Sequence, residues 1–386
     1  MSLILAALLS APPKFVPQLL GVDLHESCAV GDIDQDGSLD IAAGRHWFRN
    51  GEWVARPLRE IEDRNGYSMS NSDFFIDADG DGDPDVLSGN YFDGEVAWYE
   101  NRIAPSPDKP GVKPPADAAR TLWPKHVIGN TGQNTNELYS LVDLDGDSTP
   151  ELIANQWKDS EPLLAWRFSR VRDRLVGMTP YEISGAVAVD VPSNGHGFGV
   201  GDLTGDRLDD IIVGSGWYEQ TPDGPWTAGG WTHHTDWQTK MSLPVLVGDF
   251  TDDGEADLIF GTPHDRGMNL WKGPPPFAEA DRTVFDESFS QAHAVHLADV
   301  DSDGEVELIT GKRVLAHNGR DPGSDEQPQV VYFELDDLAA GPRVIERGRV
   351  GIGLKIESAD LDGDKDVDLV VNGKGGLFIL WNGARP

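Results

Sequence analysis

A chain of 386 residues with 66 acidic against 31 basic side chains carries a formal charge of −35 at pH 7. That field repels nucleic acid and anionic membranes, and it excludes both as partners. Yet 39% apolar residues and 12 Trp are too many for a disordered acidic polymer, so the chain must bury a core.

Residues 1–11 are apolar and end on small residues, as the apolar region of a signal peptide does, although no basic segment precedes them and Pro12 follows. The stretch is too short to span a membrane. A secreted or periplasmic protein is therefore predicted, with residues 12–386 as one domain. Residues 14–20 form a strand-like run with no partner nearby in sequence. The single cysteine, Cys28, lies in an apolar strand and reads as a buried, inert thiol, so no intrachain disulfide can form.

The first motif follows at once: Gly31-Asp32-Ile33-Asp34-Gln35-Asp36-Gly37-Ser38-Leu39-Asp40-Ile41. Oxygen ligands at positions 1, 3, 5 and 9 of a tight loop converge on one centre, as hard Ca²⁺ requires. Glycine at position 6 allows a positive φ. Six further copies carry Asp77, Asp79, Asp81 and Asp85; Asp143, Asp145, Asp147 and Glu151; Asp202, Thr204, Asp206 and Asp210; Asp249, Thr251, Asp253 and Asp257; Asp299, Asp301, Asp303 and Glu307; and Asp360, Asp362, Asp364 and Asp368. Position 10 is always aliphatic, as in a strand leaving the loop for a core. The copies start 45, 66, 59, 47, 50 and 61 residues apart, a spacing of blade size. Of the 66 acidic residues 26 occupy motif positions, so seven bound Ca²⁺ would bring the charge to −21. Ser148, Arg207 and Lys365 replace the loop glycine, and Thr204 and Thr251 replace a carboxylate, which predicts weaker calcium binding at the fourth and fifth sites.

Each unit reads as four strands. In the first, Ser27–Gly31 enters the loop, Ile41–Gly44 leaves it, Trp47-Phe48 forms a third strand and Trp53-Val54-Ala55 a fourth. Short strands without helical periodicity, repeated radially, predict an all-β, seven-bladed β-propeller. The last unit stops after its third strand at Trp381, so the N-terminal strand is expected to complete it and close the ring. Residues 102–120 and 319–329 are polar insertions. Trp47, Trp157, Trp217 and Trp271 are read as packing residues rather than sugar-stacking platforms.

These motifs resemble the FG-GAP/VCBS repeats of calcium-binding propellers, such as integrin α-subunit heads and many secreted bacterial proteins. The resemblance implies the fold and up to seven structural Ca²⁺. It leaves function open, because such propellers serve adhesion, scaffolding and catalysis alike.

If the loops lie on one face, the segments before each first strand and after each second strand meet on the other, around the axis. The former place Glu26, Asn71, Glu137, His196, Leu243, His293 and Leu354 there. The latter add Arg45-His46, Asn90-Tyr91, Gln156-Trp157, Ser215-Gly216, Thr262-Pro263-His264-Asp265, Lys312-Arg313 and Gly373-Lys374. The runs around His264, His293, Lys312 and His317 are similar to the propeller domain of aldos-2-ulose dehydratases, which eliminate water from keto-sugars; the cupin-type domains of those enzymes have no room here. Elimination beside a carbonyl needs a base and a cation for the developing enolate. His293 or His196 is the candidate base, with Asp265 orienting His264, and with Lys312 and Arg313 meeting the oxyanion and His317 close by. Alternatively, His196, His293, Glu26 and Glu137 hold an additional divalent metal in the axial funnel. His25, His46, His126, His233, His234 and His296 read as ordinary surface or strand histidines. Two functions stay open: an exported, carbohydrate-binding propeller acting as a lyase or dehydratase on keto-sugars or uronates, or a non-catalytic adhesion or scaffold module. Oligomeric state cannot be read from the sequence.

Overall fold

The computed structural model describes residues 13–103, 117–185 and 191–383. The predicted signal segment, and residues 104–116 of the first insertion, lie outside the described residues. Seven four-stranded antiparallel sheets follow one another around the ring. Blade 1 comprises Ala29–Gly31, Asp40–Ala43, His46–Phe48 and Ala55–Pro57. Its fourth strand starts at Ala55 rather than Trp53, because Trp53 ends a turn with a φ of 50°. Blades 2 to 6 span residues 74–130, 136–182, 198–234, 246–290 and 296–347. Blade 7 takes Ile356–Ala359, Asp368–Gly373 and Gly376–Trp381 from the chain's end and Val16–Gly21 from its start. In that closing pair Val16 faces Trp381 and Pro17 faces Leu380.

The seven motif loops share one geometry. The carboxylate at position 1 accepts the backbone N–H of position 6 in every loop, at 2.8–3.2 Å. The carboxylate at position 9 accepts the N–H of position 2, at 2.7–3.1 Å. Closing so short a loop forces position 6 into the left-handed region, with φ from 70° to 95°, whether the residue is glycine or is Ser148, Arg207 or Lys365. Position 4 is left-handed as well, including Gln35, Asp252 and Ser302. Position 10 then enters the core: Ile41, Val86, Leu152, Ile211, Leu258, Leu308 and Leu369 are each at most 1% exposed.

The core is divided into seven apolar clusters, one between each neighbouring pair of blades, including the pair that closes the ring. Cys28 belongs to the blade 7–blade 1 cluster, fully buried, and burial raises its thiol pKa well above the ordinary range. Trp47, Trp98, Trp166, Trp217, Trp271 and Trp381 fill these seams from third strands. Trp157 does not; it is 46% exposed, so packing does not account for it. At four seams an amide side chain bonds the position-2 carbonyl of the preceding blade: Asn50 to Leu361, Asn101 to Ile33, Gln220 to Leu144 and Asn382 to Val300.

A buried charge cluster reinforces the joint of blades 1 and 2. Asp73, 1% exposed, pairs with Arg59 and with His25, whose other ring nitrogen meets the Ser70 carbonyl at 2.9 Å. His25 is thus a buried structural group, not the ordinary histidine expected. Burial alone would raise the Asp73 carboxyl, but Arg59 and His25 outweigh it and hold the pKa well below the carboxylate range.

Two outcomes follow for stability. Replacing Ser148, Arg207 or Lys365 with glycine removes a left-handed non-glycine residue, and each variant should gain roughly 0.5–1 kcal/mol in denaturant unfolding. Gly37→Ala should lose a similar amount. Asp73→Asn leaves Arg59 buried without its counter-charge and should cost about 3–5 kcal/mol at pH 7. The native carboxyl titrates below its unfolded value, so its contribution is present above about pH 4 and lost as pH falls further. The gap in melting temperature between wild type and Asp73→Asn should therefore narrow on acidification below pH 4.

Candidate functional site

The segments that precede first strands do meet at the axis. His196 stands two residues before its strand, and its Nδ1–H donates to the Met241 carbonyl at 2.8 Å. Because a carbonyl can only accept, the tautomer is fixed and the Nε2 lone pair is left free. That Nε2 is buried without a hydrogen-bond partner among the described residues and lies 3.8 Å from Glu137 Oε1. His293 is fully buried, and neither of its ring nitrogens has such a partner. His264 reaches the same point from the turn after the second strand of blade 5. The ring centres of His196 lie 4.8 Å from those of both His264 and His293, and the latter two are 5.7 Å apart. One ring nitrogen from each of the three falls within 4.8 Å of the others. Burial lowers the pKa of all three, with His264 brought to about 4. Neutral imidazoles converging with free lone pairs are the donor set of a divalent transition metal.

Behind His264 stands a second triad. His264 Nδ1 and His317 Nδ1 are 3.0 Å apart, and Asp321 Oδ2 lies 2.7 Å from His317 and 3.6 Å from His264. Asp321 therefore takes the orienting place expected for Asp265. Asp265 is exposed, and among the described residues its carboxylate accepts the N–H of its neighbour Arg266.

Arg313 faces the axis, but its guanidinium is held by Glu26 through two 2.6 Å contacts. Glu26, expected beside His196 and His293 in a metal set, is thus engaged by Arg313, and the group that lies with those two histidines is His264. Lys312 turns the other way. Its ammonium donates to Gln291 Oε1, the Arg313 carbonyl and the Ser324 carbonyl at 3.2–3.4 Å, which anchors the following loop. Lys312 is the last residue of its strand and Arg313 the first beyond it, and the two side chains part, one to the following loop and the other to Glu26.

Above this cluster lies a cavity of about 240 Å³ bordered by Tyr67, Asn71, Tyr91, Phe92, Glu137, Arg313 and His317. Lys374 sits over the Tyr67 ring, 3.5 Å from its centre. Trp157 stands beside Tyr91 on the exposed side. Loss of hydration, with the nearby Glu26 charge, raises Glu137 to about 7 against the pull of Arg313. Glu137 and His317 thus join the open cavity to the buried histidines. Sequence reasoning missed Tyr67 and Asp321, which sit in irregular connections outside the repeat.

The motif loops form a second class of candidate metal site. Oxygens of Asp32, Asp34 and Asp36, of Asp77, Asp79 and Asp85, and of Asp299, Asp301, Asp303 and Glu307 cluster within 4.8 Å. At position 3, Asp34 Oδ1, Asp79 Oδ1 and Thr251 Oγ1 are buried without a hydrogen-bond partner among the described residues, as atoms waiting for a cation would be. Arg49 lies over the first loop, 2.6 Å from Asp34 and 2.7 Å from Asp36.

Among the described residues no helix is long and apolar enough to cross a membrane. No protein-family model matches the chain, and no curated protein matches its sequence. Solved structures do resemble it. An Agrocybe aegerita lectin described as recognising non-reducing terminal N-acetylglucosamine is 15% identical, with a TM-score of 0.50 over 97% of this chain and 86% of that one. Saccharomyces cerevisiae Sqt1 is 9% identical, with a TM-score of 0.47 over 97% and 99%. A Bacillus licheniformis rhamnogalacturonan lyase is 13% identical, with a TM-score of 0.42 over 97% and 74%. The likeness to the lectin, at that identity, speaks for the fold alone: this chain is a seven-bladed β-propeller.

Proposed function

We propose that this protein is an exported, calcium-stabilised propeller whose axial funnel is a metal-dependent carbon–oxygen lyase site for a sugar. The observation that carries the reading is the convergence of His196, His264 and His293 on one buried point below an open cavity. These three residues would hold a divalent cation, which supplies Lewis acidity to a substrate carbonyl. The chain's own groups complete an elimination. Glu137, between cavity and cluster, takes the α-proton; the carbon–oxygen bond at the β-carbon breaks, and the hydroxyl leaves as water with a proton from His317. Arg313, fixed by Glu26, keeps positive potential on the enolate side. Tyr67 and Tyr91 offer aromatic faces and hydroxyls to a sugar ring. His293 and His196, first considered as bases, are assigned to the metal because burial keeps them from the cavity. The aromatic, hydroxyl-lined cavity favours carbohydrate over a purely structural module.

The test pairs metal analysis with an elimination assay on keto-sugars and uronates, followed by the ultraviolet absorbance of the conjugated product. Wild type should carry about one transition-metal ion per chain and turn over one substrate class. His293→Ala should lose both metal and activity. Glu137→Gln should keep the metal and lose activity by roughly 10²–10⁴-fold. A flat trace from metal-loaded wild type would point to a binding module, and an active metal-free protein would sink the metal assignment.

Calcium at the seven loops is the second part of the reading, supported by the unpartnered position-3 oxygens. Export follows from it, since loops of ordinary affinity fill where calcium is abundant. Chelation should lower the melting temperature markedly. Burial raises the position-9 carboxyls, to about 6 in Asp40, Asp210 and Asp368 and about 8 in Asp85. A raised acid destabilises the fold once ionised, so the chelated protein should lose stability as pH rises from about 4, through 6 for Asp40, Asp210 and Asp368 and on to about 8 for Asp85. Calcium-loaded protein should lack that decline; equal melting curves with and without chelator would refute the calcium sites.

A further inference from the structure

A cavity larger than the axial one lies elsewhere in the molecule. It measures about 930 Å³ and lies in the seam between blades 1 and 2, behind the hairpin formed by Asp63–Arg64 and Tyr67–Ser68. A volume of that order takes a whole small ligand, roughly 300–1,000 Å³. Two side chains that line it carry buried donors with nothing to donate to. Arg59 is 2% exposed; its Nε–H donates to the Gly44 carbonyl and its Nη2 to Asp73, but Nη1 has no partner among the described residues. Trp123 is 5% exposed, and its Nε1–H likewise has none. An N–H buried in this way loses its hydration without recompense, so a ligand bearing acceptor oxygens is what such a wall suits.

The rest of the lining narrows the chemistry. The charge on Arg59 is already met by Asp73, and Lys125 is paired with Glu95, so neither cation is left over for an anion. Glu60, Glu62 and Asp93 add carboxylates, which repel anionic ligands and accept hydrogen bonds from hydroxyls. Tyr99 and Trp123 contribute aromatic faces. Donors at the floor, acceptors at the rim and aromatic faces between them match a neutral, polyhydroxylated ligand. The cavity also neighbours the funnel, since Ser70 borders both.

We propose that the blade 1–blade 2 cavity binds a neutral oligosaccharide segment. On the reading of the funnel as a sugar-processing site, it holds the part of the substrate that extends beyond the reacting ring. The two claims separate experimentally.

Calorimetric titration of the full chain with cellotetraose, maltotetraose and chitotetraose is compared with titration by glucose and N-acetylglucosamine. One tetraose should bind at least tenfold more tightly than its monosaccharide. Trp123→Phe, which keeps the ring and deletes one donor, should weaken that tetraose about five- to tenfold and leave the monosaccharide unchanged. Glu60→Ala combined with Glu62→Ala, both at exposed rim positions, should weaken it about threefold or more whether or not Trp123→Phe folds. His293→Ala should retain the tetraose advantage, and a metal-loaded wild type that binds the tetraose but eliminates nothing would overturn the lyase reading alone. No tetraose binding at millimolar concentration, no gain with chain length, or undiminished binding by the rim variant would overturn the seam site.

Discussion

Seven buried carboxylates hold this ring in register. Asp40, Asp85, Glu151, Asp210, Asp257, Glu307 and Asp368 are each at most 2% exposed, and each closes its loop onto the N–H of position 2. In five blades the other oxygen accepts the N–H of a residue at the end of the third strand or within two residues beyond it: Asn50, Asn101, Gln220, Gly273 and Asn382. One side chain thus ties together the exit of the first strand, the start of the second and the end of the third. In four of those blades the residue so tied sends its amide to the preceding blade, so the same carboxylates indirectly set the spacing between blades. Anions so deeply placed are unfavourable in isolation, which is why burial raises the pKa of Asp40, Asp85, Glu151, Asp210, Glu307 and Asp368. A cation in each loop would turn that liability into the strongest local attraction on this face.

The opposite face is organised by a different rule. There the chain must pass the axis between one blade and the next, and seven short segments crowd into a narrow funnel. Crowding removes water, and dehydration dictates the protonation of what remains. His196, His264 and His293 are kept neutral, while the buried charge of Arg313 is compensated by Glu26, 287 residues away in sequence, which meets it across the axis. The funnel therefore offers lone pairs at its base and one compensated cation on its wall, a combination suited to polarising a neutral substrate.

The repeat made the ring legible. Position 1, 6 and 9 chemistry, the aliphatic residue at position 10 and the missing last strand were all visible as pattern, and each is a local consequence of a short loop. The left-handed position 4 was not, because Gln35, Asp252 and Ser302 occupy it beside glycines and give no common signal. At the funnel, counting back from each loop located His196 and His293, since blade geometry fixes that offset. It could not locate the partnership of His264 with His317 and Asp321, which joins irregular turns of two blades. Lys312 misled for the opposite reason: at the end of its strand its side chain parts from that of its neighbour, and its buried ammonium is satisfied by an amide and two carbonyls. The Arg59–Asp73–His25 cluster gave no sequence signal either, being three single residues on separate segments.

What distinguishes this propeller from a bare scaffold lies where the repeat is broken. The connection over residues 58–73 is long enough to fold back as a hairpin, and it walls both the axial cavity and the seam cavity. The connection over residues 313–328 carries His317 and Asp321 to the back of His264, and Lys312 pins its base. Neither connection is needed to pair strands, since the blades on either side are complete without them. Both are anchored by buried polar contacts rather than by apolar packing, and such contacts specify position more sharply than they add stability. The ring thus provides fixed distances around an axis, and two irregular connections convert those distances into a site. Shortening the 58–73 connection to a simple turn would leave the four-stranded sheets of blades 1 and 2 in place and remove a wall from each cavity, so both cavities owe their shape to a segment outside the motif that most defines the sequence.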